Sequence, residues 1–135
     1  MKTIFILNPD ELDRQYERLL PLFDMVPKTP EYTPLQLFER AKAQKATVGY
    51  CEENGIPQIA FAFEFIYYPN LTAINIIALA GSGFEPVAAN LLARLKDFAR
   101  QAGADCIEAL CIDGMARLLR KYGFEKASTQ VRVMI

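Results

Sequence analysis

Hydrophobic residues follow two different periods along this chain. Four stretches repeat apolar residues every three or four positions, which predicts amphipathic helices. They are residues 12–23, 35–41, 87–102 and 115–122. Other stretches are rich in β-branched or aromatic residues, which predicts strands. They are residues 3–7, 47–52, 57–68, 71–80, 105–111 and 129–135. The predicted order is β-α-α-β-β-β-α-β-α-β, which makes an α/β fold.

Local signals mark the ends of these elements. Thr33-Pro34 is an N-cap followed by a proline at the first helical position. Asn54-Gly55 predicts a tight hairpin, and the three middle strands should form an antiparallel meander. Gly103 and Gly123 are placed to end the last two helices, whereas Pro21 is expected to end or kink the first. No linker interrupts the pattern, so we expect one domain over residues 1–135.

Composition limits the chemistry that the chain can perform. None of its 135 residues is a histidine, which excludes Ser-His and Cys-His nucleophiles and most zinc sites. Acid–base work must then use carboxylates, tyrosine, cysteine, lysine or water. Cys106 and Cys111 are five residues apart on a predicted strand, so they point to opposite faces. We therefore expect no metal site there.

Charge is distributed unevenly, although the net charge is only −1. Residues 46–93 contain no Lys or Arg but four glutamates. A nucleic-acid-binding sheet would carry a basic stripe, so we expect no nucleic-acid partner and favour a neutral or cationic ligand. No apolar run approaches the ~20 residues of a membrane span, and the N-terminus lacks a signal-peptide pattern. We expect a cytoplasmic protein that does not enter a membrane.

Two blocks of residues carry a family pattern. The third helix and the strand after it contain Leu91-Leu92, Leu95, Phe98-Ala99-Arg100 and Gly103-Ala104. The last helix contains Arg117-Leu118 and Lys121, and ends in Gly123-Phe124. With the order of the elements, these blocks resemble the GNAT (N-acetyltransferase) superfamily over nearly the whole chain. The resemblance implies a GNAT-like fold with a mixed, mostly antiparallel sheet and helices on both faces.

The resemblance also implies a cofactor, acetyl-CoA or another acyl-CoA. In the family the fourth strand splays from the fifth and the pantetheine lies in the opening. The pyrophosphate rests on amide groups that begin the following helix, because unpaired N–H groups and the helix dipole favour an anion there.

The family's phosphate loop, Arg/Gln-x-x-Gly-x-Gly/Ala, is degenerate here. It falls on residues 83–88, where only Ala88 fits. Pro86 replaces a glycine and lacks an N–H, and Glu85 brings a negative charge close to a pyrophosphate. Alternatively, Gly81-Ser82-Gly83 supplies the amides as a nest, with Leu79 on the strand before it.

Two glutamates are the candidate catalytic residues. Glu64 lies among apolar residues in the third strand, where burial would raise its pKa toward that of a usable base. Glu108 interrupts the apolar fifth strand and borders the expected cleft. The family's tyrosine acid falls on Leu119, and Tyr122 is adjacent to the glycine, which favours a packing role for Tyr122.

Three other features have both a binding and a structural interpretation. Arg117 and Arg120 could meet a CoA phosphate, or they form a solvated basic face at a helix end. Asn75 could orient a carbonyl, or it marks a bulge. Tyr67-Tyr68 either ends the strand of an aromatic cluster that forms core, or makes an exposed lip for a partner or second subunit.

Two functions follow. The first is an acyl-CoA-dependent N-acyltransferase acting on a small-molecule or protein amine, with a homodimer as one possible assembly. The second is a GNAT-shaped binding or structural protein that does not use CoA, as in some divergent phage-encoded and small bacterial relatives.

Overall fold

A computed structural model describes residues 2–25, 31–81, 83–111 and 113–135. The first five elements are β1 (Lys2–Ile6), α1 (Pro9–Phe23), α2 (Pro34–Lys42), β2 (Thr47–Glu53) and β3 (Ile56–Tyr67). The next four are β4 (Thr72–Gly81), α3 (Phe84–Ala102), β5 (Cys106–Ala109) and α4 (Asp113–Leu119), which runs into a 3₁₀ turn at Arg120–Tyr122. Type and order agree with the prediction through the last helix.

Capping residues begin and end the helices where the sequence indicates. Thr33 Oγ1 accepts the N–H of Gln36, and the Gln36 side chain accepts the N–H of Thr33, which confirms the N-cap of α2. Gly103 and Gly123 adopt the left-handed conformation, with φ of 79° and 91°, and end α3 and the 3₁₀ turn.

Pro21 does not end the first helix, so the first of its two predicted effects, an end or a kink, is wrong. Helix α1 continues through it to Phe23. Proline leaves the carbonyl of Glu17 without its helical N–H, but both Pro21 and Glu17 are exposed, so water can satisfy that carbonyl. The buried side chains of Leu19 and Phe23 hold the helix on either side of the proline.

The five strands form one sheet in the order β1-β2-β3-β4-β5. The first four are antiparallel neighbours, and Asn54 and Gly55 turn between β2 and β3 with φ of 54° and 77°. The predicted meander and hairpin are confirmed. Strand β5 instead runs parallel to β4, because α3 carries the chain back across the sheet.

Each face of the sheet covers a hydrophobic core. The first core packs α1 and α2 against Ala60 and Ala62 of β3. The second packs α3 and Leu119 against the opposite side of β3, where Phe63 is fully buried. Alternate side chains of β3 therefore enter different cores.

The prediction of a final strand over residues 129–135 is wrong for this structure. No helix or strand is formed by residues 124–135, all of which are described. Alternating apolar residues give a segment the capacity to be a strand, but a strand needs a neighbour with which to hydrogen bond. Here Arg132 instead forms an ion pair with Glu31 at 2.5 Å.

Candidate functional site

The pairing between β4 and β5 stops halfway along β4. The ladder begins at Ala73 and Cys106 and ends at Ile76 and Ala109. Strand β4 then continues to Gly81, and no described residue of β5 accompanies it. We call the opening between residues 77–81 and the end of β5 the wedge. Backbone groups of β4 that point toward the wedge have no fifth-strand partner.

A β-bulge lies where the wedge begins. Ala62 pairs with Ala78 and Phe63 pairs with Ile76, so Ile77 is an extra residue in β4. A bulge bends its strand and increases its twist, and this one follows directly after Ile76, where the β4–β5 ladder ends. Neither glycine nor proline marks this position, but Asn75, two residues before Ile77, is the residue whose structural interpretation was a bulge.

Helix α3 begins in open space beyond the end of β4. Its N-cap, Gly83, has φ 73° and ψ 44° and makes no side-chain capping bond. A Cβ added to Gly83 would meet no described atom within 4 Å. The N–H groups of Phe84 and Glu85 have no partner within the helix, and Pro86 has no N–H to offer. The amide N–H groups of Gly83, Phe84 and Glu85 thus have no partner inside the helix.

Gly81 has a different role from Gly83. A Cβ at Gly81 would lie 2.1 Å from the backbone oxygen of Gln58, and its φ is 136°. Only glycine lets the end of β4 stay this close to β3. Ser82, the middle residue of the Gly81-Ser82-Gly83 nest predicted from the sequence, lies outside the described residues.

A basic segment lies beside the start of α3. Lys121 Nζ is 3.4 Å from Glu85 Oε1, so the 3₁₀ turn reaches the first turn of α3 and offsets the charge of Glu85. Arg117 and Arg120 are exposed on the same short segment, and neither forms an ion pair with a described acid. Ala88 is fully buried one turn inside α3, where its role is packing.

The two residues compared with the family's tyrosine both pack into the molecule. Leu119 is a buried member of the second core, and Tyr122 packs against the same core. The packing role expected for Tyr122 is confirmed. No phenol therefore stands at the family's position.

The register of the sheet brings Glu64, Asn75 and Glu108 into one row. Glu64 pairs with Asn75 across β3 and β4, and Asn75 pairs with Glu108 across β4 and β5. Their side chains share the face that carries α1 and α2. The two glutamates are two strands apart, or about 10 Å, and Glu108 is the one beside the wedge.

Glu64 is held by Arg40. Arg40 Nη2 lies 2.7 Å from Glu64 Oε2, with side chains 33% and 18% exposed, and Asn75 Nδ2 donates to Glu64 Oε1 at 3.4 Å. Arg40 also lies over the ring of Tyr32, 5.7 Å from its centroid. No local pattern marks Arg40 as a functional residue, because it is 24 residues from Glu64 and falls on the polar side of the second predicted helix.

Glu108 has a weaker partner. The Tyr68 hydroxyl donates to Glu108 Oε1 at 2.7 Å, and the tyrosine is exposed. The hydroxyl can donate this hydrogen bond only while it keeps its proton, and the bond therefore raises the pKa of Tyr68. Tyr67 is exposed as well, at the end of β3, which agrees with a strand end and also with a lip for a partner.

A groove of about 350 Å³ lies beyond the Arg40 end of the row. Tyr32, Gln36, Glu39 and Arg40 contribute to its wall. It is separate from the wedge. Among the described residues, no cluster of His, Cys, Asp and Glu that could hold a metal ion is found, and no described helix is long and apolar enough to cross a bilayer.

Comparison with known proteins identifies the fold. No family model and no curated protein matches the chain. A ribosomal-protein-alanine N-acetyltransferase from Brucella melitensis biovar Abortus matches with a TM-score of 0.78 and 11% identity, over 100% of both chains. This chain has the GNAT acetyltransferase fold.

Two further structures agree with the GNAT assignment. An aminoglycoside 6′-N-acetyltransferase from Acinetobacter haemolyticus matches with a TM-score of 0.77 and 14% identity, over 100% of this chain and 98% of that one. A predicted acetyltransferase from Clostridium acetobutylicum, solved with acetyl-CoA, matches with a TM-score of 0.67 and 15% identity, over 98% and 96%. The predicted fold class is confirmed, on a sequence that has diverged far from all three.

Proposed function

We propose that this chain is an acyl-CoA-dependent N-acyltransferase that acts on an amine. One observation carries the proposal: β4 separates from β5 at the point where α3 presents unpaired amides to open space. A structure with the same fold was solved with acetyl-CoA, which supports acetyl-CoA or another acyl-CoA as the donor.

The start of α3 fits a pyrophosphate, although less fully than a glycine-rich loop would. Gly83, Phe84 and Glu85 supply amide N–H groups, and Arg117 and Arg120 stand on the neighbouring segment to meet further phosphate charge. The Glu85 carboxylate opposes an anion, but Lys121 is paired with it. Leu79 and Gly81 would line the wedge beside the pantetheine arm. Bound acyl-CoA would supply an activated acyl thioester.

Glu108 is the better placed of the two candidate bases. It lies one residue before the end of the β4–β5 ladder, at the mouth of the wedge. Tyr68 holds one carboxylate oxygen through its hydroxyl, which orients the group and leaves the other oxygen for the amine. Glu108 would take the proton that the amine must lose when it is acylated.

Glu64 would act on the acceptor without moving a proton. Its ion pair with Arg40 holds the side chain in place on the sheet face, so we assign it to holding the positive charge of an approaching amine. Asn75, which lies between the two glutamates and donates to Glu64, connects them.

The competing function is a binding or structural protein on the same fold. Three observations favour it: Pro86 removes one amide, Glu85 opposes an anion, and Leu119 fills the position of the family's tyrosine. This alternative predicts that acyl-CoA does not bind.

Thermal unfolding with and without acetyl-CoA separates the two functions. A ligand at a hundredfold excess over its Kd adds about 2.7 kcal/mol of stability, which for a chain of this size raises Tm by about 10 °C. No shift at millimolar acetyl-CoA would remove the enzyme proposal.

Catalysis is tested by the release of free CoA thiol in the presence of a panel of amines. Glu108→Gln should lower the rate about 100-fold or more while the Tm shift with acetyl-CoA persists. Glu125→Gln, at an exposed glutamate beyond the last helix, is the matched control. Equal rates in the two variants would contradict the role of Glu108.

A further inference from the structure

The ion pair between Arg40 and Glu64 lies at one end of the row that runs to Glu108, and it is only partly satisfied. Arg40 Nη2 contacts Glu64, whereas Nε is buried without a hydrogen-bond partner among the described residues. Buried N–H groups are nearly always paired in folded proteins. The second oxygen of Glu64 accepts only a long hydrogen bond, 3.4 Å from Asn75 Nδ2. A guanidinium has five N–H donors and a carboxylate about four acceptor sites, so both groups can take a further partner within the pair.

A cation and an anion side by side are complementary to a zwitterion. In a free α-amino acid, the ammonium and the carboxylate are attached to one carbon, so they too lie side by side. The carboxylate would accept from N–H groups of Arg40, and the ammonium would donate to Glu64. A lone ammonium would be repelled by Arg40, and a lone carboxylate by Glu64. The pair therefore favours a whole amino-acid headgroup over either charge alone.

The other end of the row is anionic. Glu108 lies about 10 Å from Glu64, with the neutral Asn75 between them. None of these three residues is fully buried, so a ligand can lie along the row. Strands β3, β4 and β5 contain no Lys or Arg, so no cation from the sheet at this place competes for Glu108. This end of the row would take a second ammonium group.

The distance between the two glutamates sets the length of the ligand. The two nitrogens of lysine are about 7 Å apart when its side chain is extended. Each nitrogen would lie about 3 Å from the carboxylate oxygen that it contacts. A span of about 7 Å therefore fits between carboxylates that are about 10 Å apart, and the aliphatic part of the ligand would pass over Asn75. Two carboxylates and one guanidinium also balance the single net positive charge of lysine.

We propose that the acceptor is a free basic α-amino acid of the length of lysine, held at its headgroup by Arg40 and Glu64 and acylated on its side-chain amine beside Glu108. This inference rests on the proposed function. In the reaction, the neutral side-chain amine attacks the acyl carbonyl of the thioester. The C–N bond forms, the C–S bond breaks, and Glu108 accepts the proton that the nitrogen loses. The thiolate takes up a proton from water and leaves as free CoA thiol.

Calorimetric titration of the chain with three small ligands tests the headgroup site and needs no acyl-CoA. L-lysine carries both amines and the carboxylate, 1,5-diaminopentane lacks the carboxylate, and 6-aminohexanoate lacks the α-amine. Lysine should bind about tenfold or more tightly than either, because each missing group removes a charge-assisted hydrogen bond. Equal affinities, or no binding of lysine at millimolar concentration, would overturn the proposal.

Two substitutions should remove these preferences one at a time. Arg40→Gln should bring the affinity for lysine close to that for 1,5-diaminopentane, and Glu64→Gln should bring it close to that for 6-aminohexanoate. Lys42→Gln is the matched control, because Lys42 is on the same helix and pairs with the exposed Asp13. Each preference is a ratio within one variant, so a partial loss of stability lowers both affinities equally. Preferences that persist in both variants contradict the assignment.

Acylation assays separate this inference from the proposed function. The product from lysine should carry the acyl group on the side-chain nitrogen, which fragmentation in a mass spectrometer identifies. A peptide with an internal lysine should react about tenfold more slowly or less, since it lacks both headgroup charges. Amines acylated without a preference for lysine, or acylation of its α-nitrogen, overturn the inference and leave the enzyme. Lysine that binds while no amine is acylated supports the amino-acid site and removes the enzyme.

Discussion

The pairs among the first four strands and the β4–β5 pair differ in how far they are hydrogen-bonded and how closely they pack. In the meander, strands pair along their lengths, and Gly49 packs so closely that a Cβ would lie 2.3 Å from the ring of Phe61. The β4–β5 pair has four rungs and then opens, and a Cβ at Gly83 would meet no described atom. The meander is paired along its strands, whereas the β4–β5 pair leaves an opening.

The difference shows where stability and binding reside. Buried aromatic side chains, Phe61 and Phe63 among them, fix the meander and leave it no room for a ligand. The wedge, the amides of α3 and the outer edge of β5 all lie in the second half of the chain. A ligand or partner would therefore bind there, beside strands whose packing does not depend on it.

Alanine at two glycines should give the largest contrast between the closed and open regions. Gly49→Ala forces a Cβ against Phe61 and the Ile4 backbone and should cost about 3 kcal/mol. Gly83→Ala meets only the penalty of its left-handed backbone, about 1 kcal/mol. Urea unfolding measures both. Equal costs would mean that the space beside Gly83 is filled.

The two glutamates should differ in their effect on stability. Arg40→Ala leaves the mostly buried Glu64 without its cation and should cost about 1–2 kcal/mol, less than for a fully buried pair. Tyr68→Phe removes an exposed hydrogen bond from Glu108 and should leave stability nearly unchanged. A double-mutant cycle of Arg40→Ala and Glu64→Gln tests the pair directly. Coupling near zero would contradict this account of Glu64.

Removing the acid at the start of α3 should strengthen acetyl-CoA binding modestly. Glu85→Gln should improve the affinity about two- to fivefold, because a charge in the first helical turn contributes a few tenths to one kcal/mol. Asp97→Asn is the matched control: Asp97 is on the same helix, has the same 62% exposed side chain and also pairs with a cation. Calorimetric titration of both variants measures the difference, and a larger gain in Asp97→Asn would contradict the site.

The smallest effect expected is the titration of Tyr68. Its pKa is raised by the hydrogen bond to Glu108, so the folded chain holds this phenolic proton to higher pH than the unfolded chain does. The contribution of the pair to stability is present below the ordinary tyrosine pKa and is lost as pH rises through the raised value. Glu108→Gln should lower the pKa of Tyr68 in an ultraviolet titration. An unchanged titration would contradict the contact.

Local signals were enough to predict most of the fold. The Thr33 cap, the Asn54-Gly55 turn and the glycines that end two helices act within a few residues, and they appear as predicted. Pro21 is accommodated inside α1 because the free-energy cost of an internal proline depends on whether the carbonyl it leaves unpaired reaches water. The final strand does not form because a strand also needs a neighbouring strand, which no local pattern predicts.

The site was only partly predictable for the same reason. Glu64 and Glu108 stand out as polar residues on apolar strands, and Asn75 indicates a bulge nearby. The register that places Asn75 between the two glutamates depends on how three strands pair, which no local pattern specifies. The Arg40 partner of Glu64 comes from a helix 24 residues earlier, through packing across the sheet face.

We expect acyl-CoA to bind where the β4–β5 ladder ends and α3 begins. The most direct measurement is a titration of ¹⁵N-labelled chain with acetyl-CoA, followed by the amide resonances. The account predicts that the largest shift changes fall on residues 77–85, with little change at the Asn54-Gly55 turn. Unchanged spectra at millimolar acetyl-CoA, or changes confined to residues outside the wedge, would contradict it.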